Sequence, residues 1–409
     1  MEQHDHMNSY ERVKAALHFS KPDKVPLFAQ NLKTDVLPMA MMPSRQWHPG
    51  HIPEEEGLFP HPMDDFVVNL GLYRWKKPDW AKIPKYKKNR WLNYPREEID
   101  EWGCIWNRSG GNKTMGHPGR ASMPDWRDLD RYLEMHTPDP TDRTRYSLFL
   151  KLAKLVRLLG FKKYRICVLG HVGPSQTASM IRGFSPYLVD HAKHPNELKR
   201  LLKHLTDFYI QSIKMWIKYG AKPHGFLLVD DLGEQTGPFF SPRTFKKFYE
   251  PVYRPIIETA HDYGCEMHLH CCGKVDKLLP SFIEWGLDAI EFDSPRMSGY
   301  ADLKPYVGKI MFWASANIQS IYVNGTPDEV RREFWHMMRN LGTKNGGFGL
   351  YPYPQPYHIN APAENIKALY EGLKEFGKYS SIPEHWWDYP LDVESLSDMD
   401  TIPPLPPLK

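Results

Sequence analysis

The chain has 409 residues, a quarter of them charged, which is long enough for a large core in two or three domains or in one barrel. Its formal charge of +4 is spread among interspersed acids and bases, which argues against a nucleic-acid partner, and no run of about eighteen apolar residues offers a membrane span. The start MEQHDHMNSYERV lacks the blocks of a secretory signal, and five cysteines, with Cys271 and Cys272 adjacent in an apolar run, do not suit a secreted disulfide framework; a cytoplasmic protein with reduced thiols is expected.

In chain order, a helix is expected near Tyr10 to Phe19, and VPLFAQ (25–30) could supply an early strand. Residues 45–135 read as irregular insertions over a barrel mouth. Within them KIPKYKKNR (82–90) is either a solvated face or a docking patch for an acidic partner. From about residue 141 the pattern turns regular, with helix-period segments between YRICVLG (164–170), GFLLVDD (225–231), CEMHLHCC (265–272), DAIEFD (288–293), KIMFWAS (309–315) and GFGLYPY (347–353). This alternation predicts an α/β protein with a parallel sheet, most of a (β/α)8 barrel.

Helix boundaries carry their own signals. Asn196 precedes a long helix ending at Gly220, Ser241-Pro242 opens another ending near Gly264, and Thr326-Pro327-Asp328-Glu329 is a capping box with proline at the first helical position. Residues 1–381 are read as a single barrel without internal repeats. Residues 382–409, with the run His385 to Tyr389 and the ending IPPLPPLK, read as a Pro- and acid-rich arm.

In a parallel barrel the chemistry sits where strands end. Along CEMHLHCC the two-residue period places His268, His270 and Cys272 on one face. Imidazole and thiolate at that spacing suit zinc, although a buried His and Cys satisfied by neighbours is the commoner meaning of such a pair. In LLVDDLGEQTG (227–237), Asp230 and Asp231 face opposite ways, so only one enters the mouth as metal ligand, proton donor or substrate anchor, with Glu234 and Gln235 nearby. Capping of the next helix is the alternative.

GLYPYPQPYHINAPAENI (349–366) offers Tyr351, Tyr353 and Tyr357 as walls for a planar ligand or as ordinary packing, together with His358. LGHVGPSQT (169–177) adds His171, Ser175 and Gln176 beside glycines that let a ligand approach the backbone. The chain has no GxGxxG, Walker or GxSxG motif, which argues against nucleotide-dependent and serine-hydrolase chemistry.

These pieces resemble the uroporphyrinogen decarboxylase superfamily. The resemblance runs through ERVKAALHFSKPDKVPL, IDEWGCIW, DDLGEQTGPFFSPRTFKKFYEPVYRPI, HLHCCGKVDKLLPSFIEWGLDAIEFD, GTPDEVRREF and PAENIKALYEGL, in the family's order. Family decarboxylases resemble one another in an arginine-rich stretch after the first strand, whereas FAQNLKTDVLPMAM contains no arginine, so a porphyrinogen substrate is not expected. The corrinoid-dependent methyltransferase branch is similar in its His-x-Cys zinc motif, matched by His270 and Cys272. The branch's later cysteine is replaced by the run Tyr353 to Pro356, leaving Asp231 or His358 to complete a harder site.

The resemblance therefore implies a methyltransferase with Asp231 and His270 catalytic, and with zinc on His270, Cys272 and His358. His171, Gln235, Tyr351, Tyr353 and Tyr357 would bind a methoxylated, aromatic methyl donor, and a separate corrinoid protein would accept the methyl (O-demethylation). A decarboxylase of a small acid, a thiol methyltransferase and a non-catalytic ligand-binding barrel remain alternatives.

Overall fold

A computed structural model of the protein describes residues 6–44, 47, 59–60, 96–108, 116–354, 356–388 and 402–408. The chain divides into two compact units, one formed by Met1–Met39, Ala153–Cys167 and Lys222–Lys409, the other by Ala40–Leu152 and Val168–Ala221.

The first unit is built on a seven-stranded sheet in chain order: β1 (Val36–Ala40), β2 (Tyr164–Val168), β3 (Gly225–Val229), β4 (Glu266–His270), β5 (Ala289–Phe292), β6 (Met311–Ala314) and β7 (Phe348–Leu350). All six expected strands are present, each slightly shorter than its apolar run. From β3 to β7 neighbouring strands pair in parallel, with Val229 beside His270, His270 beside Glu291, and Glu291 beside Trp313. Strands β4, β5 and β6 are almost wholly buried, as strands covered on both faces must be.

The sheet curls into a barrel through residues 26–28. Leu350 N donates to Pro26 O and Phe28 N to Leu350 O, while Asp35 N, just before β1, donates to Leu27 O. The early strand expected in VPLFAQ is thereby reduced to a single parallel bridge at Leu27. Two local features interrupt its ladder: Pro26 has no N–H, and the Leu27 N–H is taken by the Asp35 carboxylate at 3.0 Å.

The outer helices begin and pack as their residues dictate. Asn8 and Thr326 form capping boxes, and Ser241 caps the helix Pro242–Asp262 by accepting from Thr244 N. Helix Pro327–Leu341 packs on Ala363–Phe376 at Gly372, where a Cβ would come within 2.7 Å of Phe334 Cβ. Residues 402–408 are held in this unit: Arg332 and His336 bond the carbonyls of Ile402 and Pro403, and the Trp386 indole donates to Pro407 O.

The second unit contains a four-stranded sheet of Phe59–Pro60, Arg96–Ile99, Ile105–Arg108 and His117–Pro118, with the helices Pro174–Arg182, Phe184–Lys193 and Pro195–Lys218. The insertion expected to be irregular thus contains an ordered sheet. Glu101 and Arg145 form a two-pronged buried ion pair at 2.7 and 2.8 Å. Asp100 accepts from Trp102 N, Cys104 N and the Trp106 indole, and burial pushes its carboxyl up to about 7. The long helix starts at Pro195, two residues earlier than expected, because proline at the first position gives up a donor that has no helical partner anyway. The basic run 82–90 lies outside the described residues.

Candidate active site

The ends of β3, β4 and β5 bring together ligand-type side chains. Beyond β3, Asp230 is fully buried and accepts from the Tyr253 hydroxyl at 2.7 Å, so it faces helix Pro242–Asp262. Asp231 is the carboxylate that turns to the site: its Oδ1 accepts from Cys272 N at 3.0 Å and lies 3.8 Å from His270 Nε2. The ambiguity between the two aspartates is resolved by this alternation.

On β4 and just after it, His270 Nε2 lies 3.4 Å from Cys272 Sγ, and that thiol lies 3.4 Å from Asp293 Oδ2. Parallel register sets Glu291 of β5 directly beside His270, and its carboxylate bonds His270 Nδ1. Burial pushes Glu291 up to about 8 against the pull of His270. Burial would lower His270, but Glu291 and Cys272 outweigh it and raise its pKa well above the usual imidazole range. A proton is shared in the bond between His270 Nδ1 and Glu291. Burial also raises Cys272, with Asp231 adding to the effect, so without a cation the thiol keeps its proton.

His268, two residues deeper, is a contrast. The Trp313 indole donates to its Nδ1 at 3.2 Å, so its Nε2–H faces the Tyr164 oxygen at 3.0 Å, and the Tyr164 hydroxyl donates to Glu266. Burial lowers its pKa to about 4, leaving a neutral, satisfied core histidine.

The arrangement fits a cation. Ligand atoms of Asp231, His270 and Cys272 lie within 4.8 Å of one another. Carboxylate oxygen, imidazole nitrogen and thiolate sulfur form a zinc-type donor set that leaves one tetrahedral position open. Glu291, by accepting from His270 Nδ1–H, would leave the Nε2 lone pair to a cation that displaces the proton there, the usual support of a metal-bound histidine. Glu291 Oε1 and Asp293 Oδ1 are buried without a partner among the described residues. His270, Glu291 and Asp293 form a second, overlapping set; since both sets use His270, they describe one centre.

Tyr351 and Tyr353 stand near these groups. Burial raises both phenols, and Glu291, Asp293 and Cys272 act on each; the Tyr351 ring stands edge-on to Phe28. Gln235 is on an exposed loop, donating to Gln319 at 3.2 Å. His171 lies in the second unit, edge-on to Trp106. Tyr357 and His358 fall in the short turn Pro356–Ile359, and their side chains lie outside the described residues. Among the described residues, Asp231 is the group that joins His270 and Cys272 in a set of three.

Glu291 and Asp293 were not among the residues expected at the site. Their signal lies in DAIEFD, where two carboxylates alternate in phase within an apolar strand and the second closes it. Glu291→Gln should weaken zinc binding by roughly 10–100-fold with the fold intact, since the amide no longer fixes the His270 tautomer. Competition with a zinc chelator measures this, and an unchanged affinity would remove Glu291 from the supporting role.

Ligand-type side chains converging at the C-terminal ends of parallel barrel strands define the active-site class of (β/α)8 proteins. The uroporphyrinogen decarboxylase family model matches residues 118–376, and the chain belongs to that family. A methylated-thiol–coenzyme M methyltransferase of Methanosarcina mazei is 28% identical over 186 residues, 44% of this chain and 45% of that protein, so the match spans less than half of the relative. The solved structure of a methyltransferase from Methanosarcina mazei shares the fold at 17% identity and a TM-score of 0.53, over 91% of this chain and 99% of that one. Among the described residues no helix is long and apolar enough to cross a membrane.

Proposed function

We propose that this protein is a corrinoid-dependent methyltransferase that takes methyl from a small methoxylated aromatic compound and passes it to the cobalt of a separate corrinoid protein. The observation that carries the reading is the three-donor set of Asp231, His270 and Cys272 at the strand ends. The family, the methyl-transferring relative and the arginine-free segment 28–41 support a methyltransferase over a porphyrinogen decarboxylase.

A zinc held by Asp231, His270 and Cys272 would supply Lewis-acid polarisation of the donor's oxygen. When the methyl–oxygen bond breaks, the oxygen keeps the electron pair and needs a cation or a proton. His270 would meet it with the Nε2 proton, or Asp231, His270 and Cys272 would hold the cation that does. Glu291 keeps the His270 ring oriented through Nδ1, and Tyr351 and Tyr353 wall the centre with rings suited to a planar donor.

The methylated-thiol relative favours a second reading, transfer to or from a thiol, in which the same set of Asp231, His270 and Cys272 would hold the metal. Mixing the protein with a reduced corrinoid protein and a methoxyarene should convert Co(I) to methyl-Co(III), followed by absorbance. Conversion only with a methylated thiol would establish the second reading. No conversion with either donor would reject both.

A further inference from the structure

An apolar surface stands at the end of the sheet opposite the ligand-bearing strand ends. Helix Ser147–Leu158 buries Ala153 completely, yet Leu155 and Leu158 on the same helix are 52% and 74% exposed. The helix closes in a Schellman turn: Gly160, at φ +77°, donates its N–H to Arg157 O at 3.0 Å, and Phe161 N donates to Val156 O at 3.1 Å. That turn carries Leu159 and Phe161, 62% and 56% exposed, and a Cβ on Gly160 would meet nothing within 4 Å. The four apolar side chains therefore sit on an ordered, projecting tip.

Backbone bonds fix where the tip lies. Tyr10 N donates to Lys162 O at 2.9 Å, Tyr164 N to Asp35 O just before β1 at 3.0 Å, and His224 N, just before β3, to Arg165 O at 2.8 Å. These bonds tie the turn to the edge where strands start, whereas Asp231, His270 and Cys272 gather where strands end. An occupant of the tip leaves the barrel mouth open.

Exposed leucines scattered singly need no explanation, but Leu155, Leu158, Leu159 and Phe161 form one patch, the kind of feature that marks an interaction site. Charge selects the occupant. Lys154 and Lys162 flank the patch in sequence and are exposed, and the chain has no aspartate or glutamate from residue 143 to residue 189. A second copy docked by the same face would set these cations against their equivalents, which is unfavourable. A protein partner would need a hollow shaped to the tip, whereas a bilayer needs no matching shape. Leucine and phenylalanine beside lysine on a short amphipathic helix is the composition that settles into the headgroup region of an anionic membrane without spanning it.

We propose that this tip is a membrane-contact site that rests the protein on an anionic lipid surface. Leu155, Leu158, Leu159 and Phe161 enter the boundary between headgroups and acyl chains, and Lys154 and Lys162 meet the phosphates. The mouth then points away from the lipid, and nothing in the contact depends on which methyl donor the mouth accepts.

The test is co-sedimentation of the full chain with vesicles of phosphatidylglycerol and phosphatidylcholine in equal parts, or of phosphatidylcholine alone. Wild type should pellet with the anionic vesicles, at least about tenfold more strongly than with the neutral ones, and added salt should weaken the binding. Lys154→Gln and Lys162→Gln should each lower the partition coefficient about fivefold. Leu158→Ser with Phe161→Ser should lower it by about tenfold or more, because two apolar side chains no longer leave water. Melting curves confirm each fold, and the lysine variants decide if the apolar one does not fold.

Wild type that stays in the supernatant with anionic vesicles overturns the proposal, as does binding that folded Leu158→Ser/Phe161→Ser protein retains in full. Equal pelleting with neutral vesicles overturns it too. If vesicles bind nothing and sedimentation velocity shows a dimer that the same double variant dissolves, the tip is a contact between copies and the proposal falls. Methyl transfer measured without vesicles is indifferent to all of these outcomes, so the methyltransferase reading stands or falls separately.

Discussion

Purified wild-type protein should hold about one zinc per chain, and His270→Ala and Cys272→Ser should each lose it together with methyl transfer. Each substitution reduces a three-donor set to two, and serine replaces a soft thiolate with a hydroxyl that stays protonated at neutral pH. The loss should exceed the roughly 10–100-fold expected for a supporting residue such as Glu291, because a ligand itself is removed. Asp231→Asn should fall between, as an amide oxygen is a weaker, uncharged ligand. Metal analysis beside a cobalt absorbance assay reads both quantities, and circular dichroism checks that the fold persists. Zinc retained at full stoichiometry in both the His270 and Cys272 variants would refute the assignment of this centre. Metal-free wild type that still transfers methyl would shift the chemistry to Asp231, His270 and the proton shared with Glu291.

Much of this centre is legible in one dimension because it depends on rules of short range. The period of two puts His270 and Cys272 on a common face, and strand ends in a parallel barrel are where chemistry is expected. The same period separates Asp230 from Asp231, but which of them enters the mouth depends on Tyr253, reached only after the intervening helix is packed. Glu291 depends on register: it faces His270 because β4 and β5 align those two residues, and register is a property of two strands. Likewise the third donor is open in one dimension between Asp231 and His358; the strand neighbouring β4 supplies Asp231, while the His358 side chain lies outside the described residues. VPLFAQ illustrates the opposite failure. Its composition suits a strand, but the proline and the Asp35 carboxylate take the backbone positions that a ladder would need.

Glu333→Ala should destabilise the protein by about 3–5 kcal/mol, read as a lowered urea midpoint. Arg296 and Glu333 are both completely buried and meet through two bonds of 2.7 Å, with the Tyr300 hydroxyl donating to the same carboxylate and the guanidinium lying over the Tyr300 ring. Removing the acid takes the Glu333 counter-charge from Arg296 in the interior, whereas Arg296→Met with Glu333→Leu removes both charges and should recover most of the loss. The pair also bears on the site. Arg296 lies in the short helix Pro295–Ser298, directly after Asp293 and Ser294, so its tie to helix Pro327–Leu341 anchors the loop that brings Asp293 to Cys272 and Ser294 to Asn317. If the double variant regains stability but not zinc affinity, the ion pair's geometry serves the centre; if it regains both, any well-packed anchor suffices. A Glu333→Ala protein with an unchanged urea midpoint would mean that the pair contributes nothing to stability.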